Sequence, residues 1–408
     1  MVNGAELASE VARRSREARE IISSYIHKTP LEESATFSKM SNSRVYLKYE
    51  NLQKTGAFKV RGALYKVYKI KDEYRGVVAA SAGNHAQGVA YAGKIFGLKT
   101  VIVMPESASI SKIEATKSYG AEVVLAGRVY DETLQVAKKI AEERGYALIH
   151  AFDDLDVMAG QGTIAYELLE QLDSFDVVVA PIGGGGLISG LASVLHAEAP
   201  EVKIYGVEPA AAPKTLKSLE EGRPIFIEPR PTIADGLVVK KIGSLTFEII
   251  KTLVSGVVLV EEDELAHSIY LLLERGKVLA EGAGAASLAA MIHGKLPIAG
   301  NTSIGIISGG NIDLTHIYRI ILRGLSKAGR LAKISGYVPD APGQLKTILE
   351  VIASHRGNVI GIFHDRTSQA LPAWNALVSI TFEVPGRETI ARILSELKER
   401  GYEFWLSD

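Results

Sequence analysis

Residues 176–195, DVVVAPIGGGGLISGLASVL, run from an apolar stretch into four consecutive glycines and then into an apolar helical pattern. Gly183, Gly184, Gly185 and Gly186 carry no side chains, so backbone N–H groups can turn inward there. The helix N-terminus that follows adds a partial positive charge. No Gly-Lys-Ser/Thr ending supplies a lysine for a β- or γ-phosphate, and the spacing is not the Gly-x-Gly-x-x-Gly of a dinucleotide site. A single phosphate monoester suits this cup. A tight strand-to-helix turn with no ligand is the plainer alternative.

Three further segments carry chemistry. In KTGAFKVRGA, Lys59 reads as part of a short loop leading into the helix ALYKVYKI, among the small Gly56, Ala57 and Gly62 and the apolar Phe58 and Val60. A lysine partly withdrawn from water there has a lowered pKa and an amine available for nucleophilic or Schiff-base chemistry; the alternative is one more solvated lysine at a helix start. In ASAGNHAQGVA, Ser81, Gly83, Asn84 and His85 lie on a strand-to-helix turn able to grip a carboxylate, or only to cap a helix. In IGIISGGNID, Ser308 ends an apolar strand and offers a hydroxyl to a ring nitrogen, or caps a turn.

These loops need a scaffold, and the chain supplies one. From about Arg44 to Ile307, short apolar runs (VYLKYE, GVVAAS, TVIVMP, AEVVLA, YALIHA, DVVVAP, KIYGVE, TSIGII) alternate with helical patterns such as HAQGVAYAGKIFG, SASISKIEATKSYG and DETLQVAKKIAEERG. Runs that are apolar throughout are expected of strands covered on both faces, and strand–helix alternation means a parallel sheet, hence α/β. Ligands in such sheets bind at the carboxyl ends of strands, where the four loops fall. Near Arg330 the pattern changes to strand, helix, strand, strand, helix, strand, a ferredoxin-like βαββαβ unit with helices GQLKTILEVIASHR and RETIARILSELKER. The domains expected are 1–325, with a smaller subdomain near 45–150, a linker at 326–330, and the βαββαβ unit at 331–408. Helical IDLTHIYRIILRGLSKAG reads as the bridge.

Bulk composition narrows the function. The 408 residues are 47% hydrophobic and 23% charged, with 46 basic against 47 acidic side chains, so no basic excess points to nucleic acid or a membrane surface. Cysteine is absent, which excludes disulfides, zinc–thiolate sites and thiol nucleophiles. The first thirty residues read as a charged amphipathic helix and a turn without an apolar leader, and no apolar stretch reaches membrane-spanning length. The expected location is cytoplasmic. His267 and His293 read as partly buried or surface residues of helical patterns, and EEDEL at Glu261 as a helix start.

Taken in order, KTGAFKVRGA, ASAGNHAQGVA, IGGGGLISG and IISGGNID resemble the fold-type II pyridoxal-phosphate enzymes (tryptophan synthase β-like, two open twisted sheets with helices on both faces). Within them the likeness is to the threonine dehydratase (threonine ammonia-lyase) group of the serine/threonine dehydratase and serine racemase branch. TIADGL at Thr232 and EGAGAASLAA at Glu281 are similar to that branch too. The resemblance covers nearly all of residues 5–325. The C-terminal unit, with DAPGQL at Asp340 and GNVIGI, resembles an ACT regulatory domain.

The resemblance implies that Lys59 joins pyridoxal 5′-phosphate as a Schiff base, that Gly183, Gly184, Gly185, Gly186 and the Leu187 amide hold its phosphate, and that Asn84 bonds its 3′-oxygen. Phe58 would lie beside the ring and Ser308 would face the pyridine nitrogen. Ser81, Gly83, Asn84 and His85 would surround the substrate carboxylate. A neutral serine at 308 cannot keep the ring nitrogen protonated, which favours prompt β-elimination over transamination. The implied activity is L-threonine to 2-oxobutanoate and ammonia, with L-serine to pyruvate beside it. A serine-preferring dehydratase, a β-replacement enzyme of the cysteine synthase type and a catalytically silent amino-acid sensor are the alternatives. Serine racemases resemble SSGNH at the carboxylate loop, their second serine acting as acid and base; Ala82 stands there, so racemisation is expected to be poor. Racemase-like relatives also hold a cation through carboxylates, but in GVEPAAAPKT Lys214 follows Glu208 where a second acid would be needed, so no metal is expected and Glu208 is free to pair with a lysine. ACT domains pair, which implies a homo-oligomer, dimer or tetramer, with an effector such as isoleucine or valine near Asp340, Gly343, Gln344, Leu345 and Asn358.

Overall fold

Strands built from Val, Ile and Ala with no polar face can only sit between helix layers, and the computed structural model places them so. It describes residues 3–367 and 374–407. The chain divides into two units, Met1–Asp313 and Leu314–Asp408; the helix Leu314–Lys327 belongs to the second.

The first unit holds two sheets. The larger runs in the order Leu31–Glu33, Arg44–Tyr49, Thr302–Ile307, Val177–Pro181, Lys203–Pro209, Gly256–Val260, parallel throughout except for the first pair. The smaller is parallel, in the order Glu122–Leu125, Lys99–Met104, Gly76–Ala80, Ala147–Leu148. Val177–Pro181 and Gly76–Ala80 are buried at every residue, as apolar strands covered on both faces must be. The helix Gly282–Ile292, GAGAASLAAMI, is likewise buried throughout; its small side chains let neighbouring backbones approach, and a Cβ at Gly284 would collide with the carbonyl oxygen of Gly309. Two strands were not foreseen, Leu31–Glu33 and Gly256–Val260; the latter is only half-buried along most of its length, at the sheet edge.

YALIHA yields only Ala147–Leu148. Beyond Leu148 the backbone leaves the ladder: Ile149 N–H still reaches Val78, but the carbonyls of Ile149 and Ala151 turn to His85 and Lys59. Lys59 itself is not in a loop. It is the first residue of the helix Lys59–Ile70, with Phe58 as its cap. A short run of small residues before an apolar helix does not reveal where the first turn closes.

Behind that helix lies a buried charge network. The Arg61 guanidinium donates to both oxygens of Glu50 at 2.7 Å and to Glu167 at 2.6 Å; the Lys48 ammonium donates to Glu167 at 2.6 Å, to Gln171 at 2.7 Å and to the Thr29 carbonyl at 2.7 Å. Arg61, Glu50 and Lys48 are wholly out of solvent. Two cations and two anions thus tie the strand Arg44–Tyr49 and the residues after it to the helices Lys59–Ile70 and Leu155–Gln171.

In the second unit the antiparallel sheet runs Asn358–Asp365, Asn375–Glu383, Leu331–Pro339, Phe404–Leu406, the ferredoxin-like order, with the helices Gln344–Ser354 and Arg387–Glu399 supplying Ile348, Val351, Ile352, Ile393 and Leu397 to its core. Asn358 pairs with Glu383, as does Leu331, whereas Asp340 follows Pro339 at the other end of that strand. Within one chain Asn358 therefore stands roughly 25 Å of strand away from the Asp340–Leu345 turn; the two can share a ligand only between two copies. Gly343, at φ +93°, caps the helix there, the Tyr402 hydroxyl donates to Gln344 at 2.7 Å, and Leu345 packs on the core.

Arg61→Ala leaves Glu50 buried without its partner, so unfolding in urea should show a loss of about 3–5 kcal/mol; a loss below about 1 kcal/mol would mean that the network is not holding these elements together.

Candidate active site

The glycine run has four separate causes. Gly185 sits at φ +97°, a region that penalises any Cβ. A Cβ at Gly184 would fall inside the Phe152 ring, one at Gly186 would press on the Phe152 backbone, and one at Gly183 would lie 3.2 Å from the carbonyl of Gly236. Direction matters as much as space. The Thr246 hydroxyl donates to the Gly184 carbonyl at 2.8 Å, and the Lys214 ammonium donates to the Ile182 carbonyl at 3.0 Å. In a trans peptide the N–H points opposite to the C=O, so the N–H groups of Gly185 and Gly183 face the other way. Among the described residues, the amides of Gly183, Gly184, Gly185, Gly186 and Leu187 have no protein acceptor. Five donors gather at a helix N-terminus, two of them turned away from carbonyls claimed elsewhere, with nothing from the protein among the described residues to receive them, which fits a phosphate and no cation.

Lys59 reaches this cup through one short segment. Its ammonium donates to the Ala151 carbonyl at 2.9 Å and lies 5.3 Å from the centre of the Phe58 ring. Ala151 is followed by Phe152, which packs on Gly184, and by Asp153, whose carboxylate accepts from the amides of Ser244, Leu245 and Thr246 at 2.9–3.2 Å. His150 Nδ1 accepts from the amides of Phe152 and Asp153 and folds the segment. Burial pushes the Lys59 amine down to about 8, with the Glu281 carboxyl opposing. The Ala151 bond and partial burial set Lys59 apart from a freely solvated lysine at a helix start.

The remaining loops meet at Glu281. Asn84 Nδ2 donates to Glu281 Oε1 at 2.6 Å, Asn311 Nδ2 donates to Asn84 Oδ1 at 2.7 Å and to the Thr55 carbonyl at 2.8 Å, and a Cβ at Gly309 would strike the Glu281 carboxyl. Asn84 is thus oriented from both ends and is not capping its helix; the cap is Gly83. Ser81 accepts from the Gly83 amide at 3.1 Å, while the amides of Asn84 and His85 have no protein acceptor among the described residues. His85 Nε2 faces the Ile149 carbonyl at 3.1 Å, which puts the ring proton there; Nδ1 is buried without a partner, and burial together with Lys59 pushes the pKa of this ring down to about 3. Ser308 is buried, its hydroxyl 3.4 Å from the Ala283 carbonyl and its own carbonyl accepting from Phe58 N–H. The Ala57–Gly309 bridge closes the ring of loops.

Glu281 was not foreseen as a site residue. Burial pushes its carboxyl up to about 8, reinforced by Asp235 and opposed by Asn84, Lys112 and Lys59, so it holds a proton at neutral pH despite its place at a helix start. The signal was present: an acid directly ahead of GAGAASLAA enters a helix too small and apolar to reach water. Ala151, Phe152 and Asp153 left none, because they act through a carbonyl, a ring edge and a cap. EEDEL does begin a helix, with a reciprocal pair of bonds between Glu261 and Glu264, and His267 and His293 lie 3.3 Å apart outside this cluster.

Residues 22–310 match the family described as pyridoxal-phosphate dependent enzyme. The chain belongs to that family. An L-threonine ammonia-lyase of Thermotoga maritima is 45% identical over 390 residues, 95% of this chain and 97% of that one. Among solved structures, maize serine racemase superposes with a TM-score of 0.73 at 36% identity, covering 78% of this chain and 98% of that one. The crystal structure of a T.th. threonine deaminase gives 0.70 at 43%, covering 74% and 98%. The fold is fold-type II with an added C-terminal antiparallel unit. Among the described residues, no helix of this family member is long and apolar enough to cross a membrane.

The Glu281 carboxyl keeps a proton when folded up to about pH 8 and loses it near 4.5 when unfolded. Its contribution to stability is fully present below about 4.5 and is lost as pH rises through about 8. In the cofactor-free protein, Glu281→Gln should therefore gain on the parent by roughly a few kcal/mol between pH 5 and 8.5, measured as urea midpoints; parallel pH profiles would contradict a protonated Glu281.

Proposed function

We propose that this chain is a pyridoxal-phosphate dependent L-threonine ammonia-lyase that forms 2-oxobutanoate and ammonia, and turns L-serine into pyruvate as a secondary activity. One observation carries the reading: a primary amine withdrawn from water and bonded to the Ala151 carbonyl, next in sequence to the Phe152 ring that packs on a cup of five unpartnered amides. The 44–45% identity to L-threonine ammonia-lyases over 95% of the chain supports the choice of substrate.

When bound, pyridoxal phosphate supplies an aldehyde that captures amines and a ring that draws electrons from the captured amino acid's Cα. Lys59 Nζ would be the amine that holds the aldehyde, and when free it would be the base placed to take the Cα proton. The overall change is loss of the β-hydroxyl with one proton as water, and hydrolysis of the resulting enamine by a water to the oxo acid and ammonia. The amides of Gly183, Gly184, Gly185, Gly186 and Leu187 hold the phosphate. Asn84, steered by Glu281 and Asn311, would serve the 3′-oxygen, Phe58 would flank the ring, and the neutral Ser308 hydroxyl would be offered to the ring nitrogen. Ser81, Gly83 and the free amides of Asn84 and His85 receive the substrate carboxylate. Ala82 carries no proton donor to the face opposite Lys59, so a chain that also superposes on a serine racemase should not racemise serine.

The second unit is read as the regulatory part, residues 331–408, with isoleucine or valine held at Asp340, Gly343, Gln344 and Leu345 of one copy and Asn358 of a second. The geometry within one chain supports this, because Asn358 is at the wrong end of the sheet to serve its own loop. The assembly is then a dimer or tetramer, working in the cytoplasm where its metabolites circulate.

Incubation of the purified protein with L-threonine alone should give equal amounts of 2-oxobutanoate and ammonia, with slower pyruvate from L-serine, no D-serine, and a rate that changes on adding isoleucine or valine. Lys59→Ala should lower turnover by several orders of magnitude. Absence of 2-oxobutanoate, or product only when a thiol or sulfide is added, would contradict the lyase reading; an unchanged rate with either amino acid would contradict the regulatory one.

A further inference from the structure

Lys214 is an ammonium wholly removed from solvent, and the reaction as described does not use it. It opens the helix Lys214–Glu221 and makes two bonds: to Glu208 Oε1 at 2.7 Å and to the Ile182 carbonyl at 3.0 Å. Glu208 is equally buried, at the end of the strand Lys203–Pro209, and its two oxygens also accept from the amides of Thr215 and Leu216 at 2.9–3.0 Å. The hydroxyl of Thr215 is buried with no partner. Burying such a pair gains little over apolar side chains of the same volume, so stability alone does not account for it.

Ile182 is the residue before the glycine cup. Its N–H is held by the Val207 carbonyl at 2.8 Å, which continues the sheet, so the only freedom left at the cup's first peptide is the direction of the Ile182 carbonyl. No peptide in the described chain is cis, so pulling that carbonyl toward Lys214 turns the Gly183 N–H the opposite way. The ammonium and the carboxylate cancel in charge. Their effect on a phosphate is therefore one of direction, with little long-range field.

We propose that Lys214 is a built-in cation that aims the Gly183 amide into the phosphate cup, a task that a small dissolved cation between Glu208 and the Ile182 carbonyl could otherwise perform, and that the holoenzyme is consequently indifferent to added metal or alkali ions. The proposal makes Lys214 a positioning residue, and it rests on the phosphate reading of the glycine loop.

The test compares the parent, Lys214→Met and Lys214→Ala. Pyridoxal phosphate affinity is read from the absorbance of the bound cofactor, and the thermal midpoint of each cofactor-free protein is read in sodium, potassium, ammonium or tetramethylammonium chloride at equal ionic strength. Lys214→Met fills the space without a charge and should weaken cofactor binding roughly tenfold or more in every salt. Lys214→Ala should show the same loss in tetramethylammonium, with saturable recovery of affinity and of the cofactor-free midpoint in potassium or ammonium. The parent should bind equally in all four. Parental affinity in Lys214→Met, recovery of Lys214→Ala by none of the small cations, or a parent that itself needs one would each overturn the proposal. Should Lys214→Ala not fold, the parent's indifference and the Lys214→Met affinity still decide it. A parent that binds no cofactor at all would instead refute the phosphate reading on which this rests.

Discussion

An ammonium group in the interior of a protein is among the most expensive things a fold can hold, and the first unit is arranged around one that is only partly compensated. Lys59 is offered a single carbonyl, that of Ala151, and a carboxyl at Glu281 that burial itself keeps protonated at neutral pH. Neither is a full counter-ion. The amine is therefore held near the point where it gives up its proton, which is the condition for a nucleophile that must also serve as a base. The contrast with Arg61, two residues further on, is instructive. Wholly out of solvent, it has two carboxylates and a fixed positive charge. One helix thus carries a cation made permanent to hold the elements together and a cation left with little compensation, as the proposed chemistry requires.

The second constraint is steric and directional. The loop from Ile182 to Leu187 can present its amides only if its carbonyls are claimed elsewhere, and Thr246 and Lys214 claim two of them. Thr246 is in turn placed by Asp153, and Asp153 lies two residues beyond Ala151, whose carbonyl receives Lys59. The same four-residue stretch, His150 to Asp153, therefore sets both the amine and the cup. This explains why the strand at Ala147 stops after two residues: its continuation is spent on the site.

Much of this was legible beforehand, and for physical reasons. Runs such as VVVAP and GVVAA have no polar face, so their burial between helices and their parallel order follow from composition. Helix ends at Gly97 and Gly145 follow from the left-handed residue that a helix terminus favours. Gly183 to Gly186, Lys59, Asn84 and Ser308 stood out because side-chain-free or polar residues at strand ends have few structural excuses. The parts that could not be read act through the backbone or through distance. The Ala151 carbonyl has no residue-type signature. Phe152 looks like any core aromatic until it is seen against Gly184. Arg61, Glu50, Glu167 and Lys48 are each ordinary surface-type residues, and the pairs that Glu167 makes with Arg61 and Lys48 span more than a hundred positions. The edge strand Gly256–Val260, GVVLV, is apolar throughout like the strands foreseen, so its pattern did carry the signal and it was missed.

The account stands on the amine at position 59 meeting an aldehyde held by the glycine cup. The direct measurement is borohydride reduction of the protein saturated with pyridoxal phosphate, followed by peptide mass mapping. The account predicts one dominant modification, a phosphopyridoxyl group on the ε-nitrogen of Lys59, accompanied by loss of the bound cofactor's absorbance. An unmodified Lys59 in saturated protein, or label spread over the exposed lysines alone, would contradict it.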